Sequence, residues 1–307
     1  MKIGIVDLDT SHPKAWIPII RDLGHEIVGL WDGGSVHPES YVEAFAEENE
    51  IPEVCDTLED LVTRSDAGII YGCDWDTHVD KARPFVEAGK GVLIDKPMAG
   101  SVKDLDQLQK WAEEGAKITG GSSLRFCYET RDWMAKPVDD RGTPNTVVCG
   151  CGVDELNYGI HAYSMMAGIL GTGASSVQSL GKGVQRRIQI NWDDGRSGIL
   201  VVGQAEAYLP FYALITTEKG VSYLQADNKP LYRALLEKTL PYLAGEVQEP
   251  PNPHTSQQEP ERWALAARVS WLNENAVIRL DALESADPGY DGAHFAEGYR
   301  KSRYPDA

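Results

Sequence analysis

A chain of 307 residues, 42% hydrophobic and 25% charged, has room for two domains and the composition of an ordinary globular protein. Its formal net charge of -18 repels phosphate backbones and anionic bilayers, so neither nucleic acid nor a membrane surface is an expected partner. No apolar run is long enough to span a bilayer, the opening MKIGIVDLDTSHP lacks the features of a secretory signal, and the cysteines (Cys55, Cys73, Cys127, Cys149, Cys151) are odd in number and scattered, which predicts a cytoplasmic location with reduced thiols.

The apolar run KIGIV over residues 2–6 predicts a buried parallel strand. A helix follows over 14–23 and ends at Gly24, then a strand over 26–31 and a helix over 39–49. Thr57 with Asp60 three residues later caps a helix over 57–64. A strand at 67–72, a helix at 77–88, a strand at 91–95, a helix at 101–114 capped by Ser101 and Asp104, and a short strand at 116–119 complete the pattern. Such alternation calls for a doubly wound parallel sheet of Rossmann type over residues 1–122, whose ligands bind beyond the carboxyl ends of the strands.

Residues 123–307 read as a second, α+β domain. Strands are expected at 146–153, 176–184, 187–192, 198–203, 211–217 and 221–226, with tight turns at Asp193–Arg196 and Glu218–Gly220 joining neighbours as hairpins. Helices accompany them at 159–170, 229–244 and 259–275. The pattern predicts a predominantly antiparallel sheet with one open face, which a partner subunit would cover in a homodimer or homotetramer. The stretch from about 285, rich in Gly, Tyr and Asp, is expected to wrap over the body or over a partner.

An unusual set of side chains is predicted along one edge of the first sheet. Asp7, Asp9 and His12 follow the first strand, Asp32 and His37 the second, Asp74, Asp76 and His78 the strand at 67–72, and Asp95 ends the strand at 91–95. Carboxylates and imidazoles converging there could hold a divalent metal, hydrogen-bond the hydroxyls of a sugar or ribose, or cap the following helices.

Three segments, in order, resemble the Gfo/Idh/MocA family: His78-Val79-Asp80-Lys81-Ala82, then AGKGVLIDKPMAG at 88–100, then NYGIHAYSMMAGILG at 157–171. The resemblance implies an NAD(P)-dependent oxidoreductase acting on a sugar, inositol or related polyol, with a small carbohydrate-like molecule as substrate. It implies Lys96 and His161 as catalytic groups, with Asn157 where the family has an aspartate that orients the histidine. A histidine titrating near neutrality can exchange the hydroxyl proton, and a lysine can stabilise a developing alkoxide. It places Asp9, Thr10, Ser11, His12, Asp32, Asp74, Trp75, His78, Asp95 and Pro97 around an NAD or NADP cofactor, and Arg125, Tyr158 and Tyr163 near the substrate.

The loop Asp7–His12 departs from the family's glycine-rich fingerprint. Larger residues stand at each glycine position, and two carboxylates fall where pyrophosphate charge is expected, which predicts weak nicotinamide affinity. Binding is retained if the carboxylates turn away from the cleft or if a divalent metal bridges to the phosphates. A non-redox relative (a metal- or sugar-dependent lyase, hydrolase or epimerase) and a catalytically silent binding protein are the alternatives.

Overall fold

The computed structural model describes residues 1–305. Two compact units share the chain: Met1–Gly121 with Leu236–His254 and the segment from Tyr290 onward, and Ser122–Leu235 with Thr255–Gly289.

In the first unit β1 (Lys2–Val6), α1 (His12–Asp22), β2 (Glu26–Trp31), α2 (Glu39–Glu48), α3 (Leu58–Arg64), β3 (Ala67–Ile70), α4 (His78–Glu87), β4 (Gly91–Ile94), α5 (Val102–Glu113) and β5 (Ile118–Gly120) alternate as the sequence predicts. The five strands form one parallel sheet in the order β2-β1-β3-β4-β5. Ile3, Ile5, Ile69, Ile70, Leu93 and Ile94 are sealed, as strands buried on both faces require. Thr57 and Ser101 accept hydrogen bonds from the Asp60 and Asp104 amides and fix the starts of α3 and α5. Gly68 lets α4 approach closely, since a Cβ there would lie 2.4 Å from the Phe85 ring. Strand order switches direction at β1, with β2 on one side and β3 on the other, so the ligand-binding crevice of the fold opens at the carboxyl ends of β1 and β3.

The second unit begins with α6 (Tyr128–Ala135) and α7 (Val138–Arg141), continues through β6 (Thr146–Gly150), α8 (Gly159–Leu170), β7 (Ser176–Lys182), β8 (Arg186–Asn191), β9 (Ser197–Val202), β10 (Tyr212–Thr217), β11 (Gly220–Gln225) and the start of α9 (Leu231–Leu243), which from Leu236 belongs to the first unit, and ends with α10 (Glu259–Leu272) and β12 (Ile278–Arg279). Its sheet runs β11-β10-β6-β9-β8-β7-β12, antiparallel except where β6 and β9 run parallel. Burial alternates along β9 and β10, so one face is packed and the other is not. Leu214 and Tyr223, paired across β10 and β11, stand exposed on the open face together with Val221.

The later part of the chain returns twice to the first unit, whereas the sequence reading keeps residues 123–307 together. The physical reason is apolar packing. Leu236 and Leu240 of α9 are buried, and Leu243 lies against Gly91 of β4. The stretch from 285 contains a helix absent from the sequence expectations, α11 (Gly292–Arg303), started by Asp291, whose carboxylate accepts from the His294 amide at 2.7 Å.

Candidate active site

The crevice of the first unit is built from the loops that follow β1, β2, β3 and β4. Asp7 takes a left-handed conformation (φ 64°), the backbone that a glycine supplies without strain at this turn. Its carboxylate does not face the crevice. It accepts from the Gly33 amide at 3.0 Å and from the Lys81 ammonium at 2.7 Å, all in a sealed setting. Burial alone would lower the Lys81 pKa, but Asp7 outweighs it and holds the ammonium above its ordinary value. The charge of Asp7 is thus neutralised inside the fold by a lysine that the sequence reading assigned no role.

Asp9 is equally buried. One carboxylate oxygen accepts from the Cys73 amide at 2.8 Å, and the other has no hydrogen-bond partner. Burial first, then repulsion from Asp7, raises its pKa from 3.8 to about 7. Asp32 accepts from the Leu8 amide at 2.8 Å and the Gly34 amide at 2.7 Å, so both its oxygens tie the loops after β1 and β2 together. Thr10 accepts from the His12 amide at 3.2 Å, and Ser11 is the exposed cap of α1. His12 Nδ1 lies 2.5 Å from Asp95, which also accepts from the Lys96 amide at 2.8 Å. Burial would raise the Asp95 carboxyl, yet His12 and Lys96 hold it below the ordinary range.

After β3, Asp74 caps a short turn at Trp75–Thr77. His78 is sealed, with its two ring nitrogens 3.1 Å from the Met98 carbonyl and 2.9 Å from the Gly72 carbonyl, and burial lowers its pKa. It braces the loops after β3 and β4. Lys96 and Pro97, joined by a cis peptide bond, are buried in the loop after β4. Trp75, expected at the cofactor, is enclosed. Its indole nitrogen donates to the Tyr290 carbonyl at 2.9 Å, and Phe295 covers its ring at 4.9 Å. Of the three roles open to this edge, metal binding is not supported. Among the described residues no group of three or more His, Cys, Asp and Glu side chains is arranged to hold an ion. Each carboxylate of the edge is drawn to a local amide or cation instead.

In the second unit, His161 sits in the first turn of α8, and its Nδ1 shares a 2.6 Å hydrogen bond with Ser122 Oγ. Sequence reasoning missed Ser122, and no local motif marks it. Asn157, expected to orient the ring, lies half-buried in the turn before α8. Phe211 meets the imidazole edge-on at 4.9 Å and Tyr158 at 5.8 Å. Tyr158 and Phe211 also line a cavity of about 460 Å³ with Gly152, Gln204, Tyr208 and Leu209. Its volume is within the range of small-molecule sites, with an apolar wall and a few polar groups. Two residues expected near the substrate have other surroundings here. Arg125 donates to the Ser256 and Gln257 carbonyls at 3.2 and 3.0 Å, and burial pulls its pKa to about 10, so it fastens the loop before α10. Tyr163 is fully buried within α8.

Residues 1–120 match the family model described as an oxidoreductase family with an NAD-binding Rossmann fold, GFO_IDH_MocA. The match covers the first 120 residues, less than half of the chain. Biliverdin reductase A of Homo sapiens is 27% identical over 134 residues, 38% of this chain and 45% of that protein. The chain spans less than half the length of the curated relatives it matches. Among solved structures, scyllo-inositol dehydrogenase from Lactobacillus casei with bound NAD(H) and scyllo-inositol is 16% identical, with a TM-score of 0.74 over 92% of this chain and 99% of that one. An oxidoreductase from Thermotoga maritima is 15% identical, with a TM-score of 0.77 over 92% and 99%. At these identities the likeness establishes the fold over nearly the whole chain.

The family's dinucleotide does not fit this crevice as it stands. The acidic residue after β2 that would hold the adenosine ribose has both oxygens on backbone amides. Asp9 stands at the position of a fingerprint glycine, with its side chain sealed against the Cys73 amide. Beside them Ala296 of α11 packs against Val36 and Cys73, the residues flanking the crevice after β2 and β3.

Proposed function

We propose that this chain is an oxidoreductase acting on a sugar, inositol or related polyol, with NAD or NADP as its redox partner and His161 and Lys96 as its catalytic pair. The observation that supports it most is the setting of His161: a buried imidazole tied at Nδ1 to Ser122 Oγ and flanked by the aromatic rings that line a ligand-sized cavity. A hydrogen bond at Nδ1 fixes the ring plane, so that Nε2 is the atom placed to take or return a hydroxyl proton. Ser122 is neutral, so an imidazolium gains less here than beside a carboxylate. Lys96 contributes positive charge for a developing alkoxide. Its backbone amide is anchored on Asp95, which sets the direction of the loop after β4. The reading is tested by screening polyols and aldoses for NAD- or NADP-linked absorbance change, with wild type and His161→Ala side by side. Wild-type turnover that the variant loses supports it, and a variant as active as wild type overturns the assignment of His161.

The filled crevice favours a second reading, in which the same pair moves protons without a redox partner, as in an epimerase or lyase. Exchange of a substrate C–H for deuterium in D₂O without added nicotinamide would single it out.

A further inference from the structure

The crevice at the carboxyl ends of β1, β2 and β3 is occupied by the protein's own chain. From Tyr290 the backbone runs along the loops after β4 and β3. The Tyr290 amide donates to the Gly100 carbonyl at 2.9 Å, and the Tyr290 carbonyl accepts from the Trp75 indole. Asp76 then accepts from the Gly292 and Ala293 amides at 2.9 and 3.3 Å, a carboxylate seated on the positive end of α11. Gly292 is pressed so near the Asp74–Asp76 turn that a Cβ would come within 2.7 Å of Asp74 Oδ1. One turn on, Ala296 is buried with Val36 and Cys73, and Phe295 and Tyr299 pack on the same cluster. Beyond the helix, the Tyr304 hydroxyl shares a 2.8 Å hydrogen bond with His37 Nδ1. Val36 and His37 follow β2, and Cys73 to Asp76 follow β3, so the segment bridges the two loops between which a Rossmann fold receives the adenosine half of a dinucleotide.

We propose that the segment Tyr290–Tyr304 is an intramolecular occupant of the adenosine end of this crevice, and that a nicotinamide dinucleotide enters only when the segment lifts away. This rests on the oxidoreductase reading above. The attachment is of a kind that can open. It consists of a handful of hydrogen bonds, two aromatic contacts and one small apolar cluster, and a twelve-residue helix has little stability once detached. The apparent dissociation constant then equals the intrinsic one divided by the open fraction. Loosening the segment tightens binding in proportion, until it is open most of the time.

The test uses the full chain. NAD and NADP are titrated calorimetrically into wild type, Ala296→Gln, which forces a longer polar side chain between Val36 and Cys73, and Phe295→Ala, which removes the cover of Trp75. Hydrogen–deuterium exchange of the α11 amides is followed in each, with and without nucleotide. We expect nucleotide to speed exchange across α11 in wild type, and both variants to exchange faster without nucleotide and to bind at least ten-fold more tightly. Binding to wild type with α11 equally protected overturns the proposal and leaves the cofactor reading standing. No binding to any of the three proteins at millimolar nucleotide, with α11 exchanging freely in the variants, overturns the cofactor reading and the proposal with it.

Discussion

Replacing Asp9 with asparagine stabilises the protein at alkaline pH. The Asp9 carboxylate is sealed, has one oxygen without a partner, and stands near Asp7 and Asp32. Its pKa rises from 3.8 to about 7, chiefly through burial. At about 1.4 kcal/mol per unit, ionised Asp9 costs the folded state at most roughly 4 kcal/mol. A carboxyl with a raised folded pKa binds its proton more tightly folded than unfolded, so this cost is fully present above pH 7 and shrinks as pH falls toward 3.8. Asparagine keeps an oxygen for the Cys73 amide and carries no charge. We therefore expect Asp9→Asn to raise the unfolding free energy by about 2–4 kcal/mol at pH 8 and by less than about 1 kcal/mol at pH 4. The assay is urea unfolding of both proteins across that range, reading the difference between them so that other titrating groups cancel. A variant that is less stable than wild type at pH 8, or whose gain does not depend on pH, would refute the reasoning.

The Asp7–Lys81 pair gives the opposite result. Lys81→Met leaves a buried carboxylate without its cation and should cost about 3–5 kcal/mol in urea unfolding, while adding Asp7→Gly should recover most of it, because glycine accepts the positive φ; a loss below about 1 kcal/mol for the single variant contradicts the pairing. Ser122→Ala should displace the pH profile of turnover while lowering the melting temperature by several degrees, since it removes two hydrogen bonds, to His161 and from the Leu124 amide, each worth about 1 kcal/mol; an unchanged profile removes Ser122 as the positioning residue of His161. The open face bearing Leu214, Val221 and Tyr223 is proposed to pair in a homodimer or homotetramer, so light scattering at micromolar concentration should give a multiple of the chain mass and Tyr223→Glu should reduce it; a monomeric wild type refutes this.

Local pattern carried most of the architecture. The runs KIGIV, AGII and GVLI are apolar without alternation, and only a parallel sheet covered on both faces buries such strands. Thr57 with Asp60 and Ser101 with Asp104 announce helix starts because a side-chain oxygen three residues before an amide is a local geometry. The second sheet was equally readable from its alternation and its Asp-Gly and Lys-Gly turns. The helix at 292–303 was readable in part: Asp291 caps it, and Phe295 and Tyr299 stand four apart, but the neighbouring glycines mask the signal.

What the charged edge does was decided elsewhere. The spacing of Asp7, Asp9, Asp32, Asp95 and the histidines placed them along one crevice. Their partners come from distant positions: Lys81 for Asp7, Cys73 for Asp9, His12 for Asp95, Met98 for His78. A carboxylate's direction depends on which amide or cation the fold brings within 3 Å, and no periodicity encodes that distance. The same holds for Ser122 at His161 and for the chain's return over its own crevice. Both are contacts between residues far apart in sequence, fixed only when the apolar cores have assembled and the remaining polar groups take the partners left within reach.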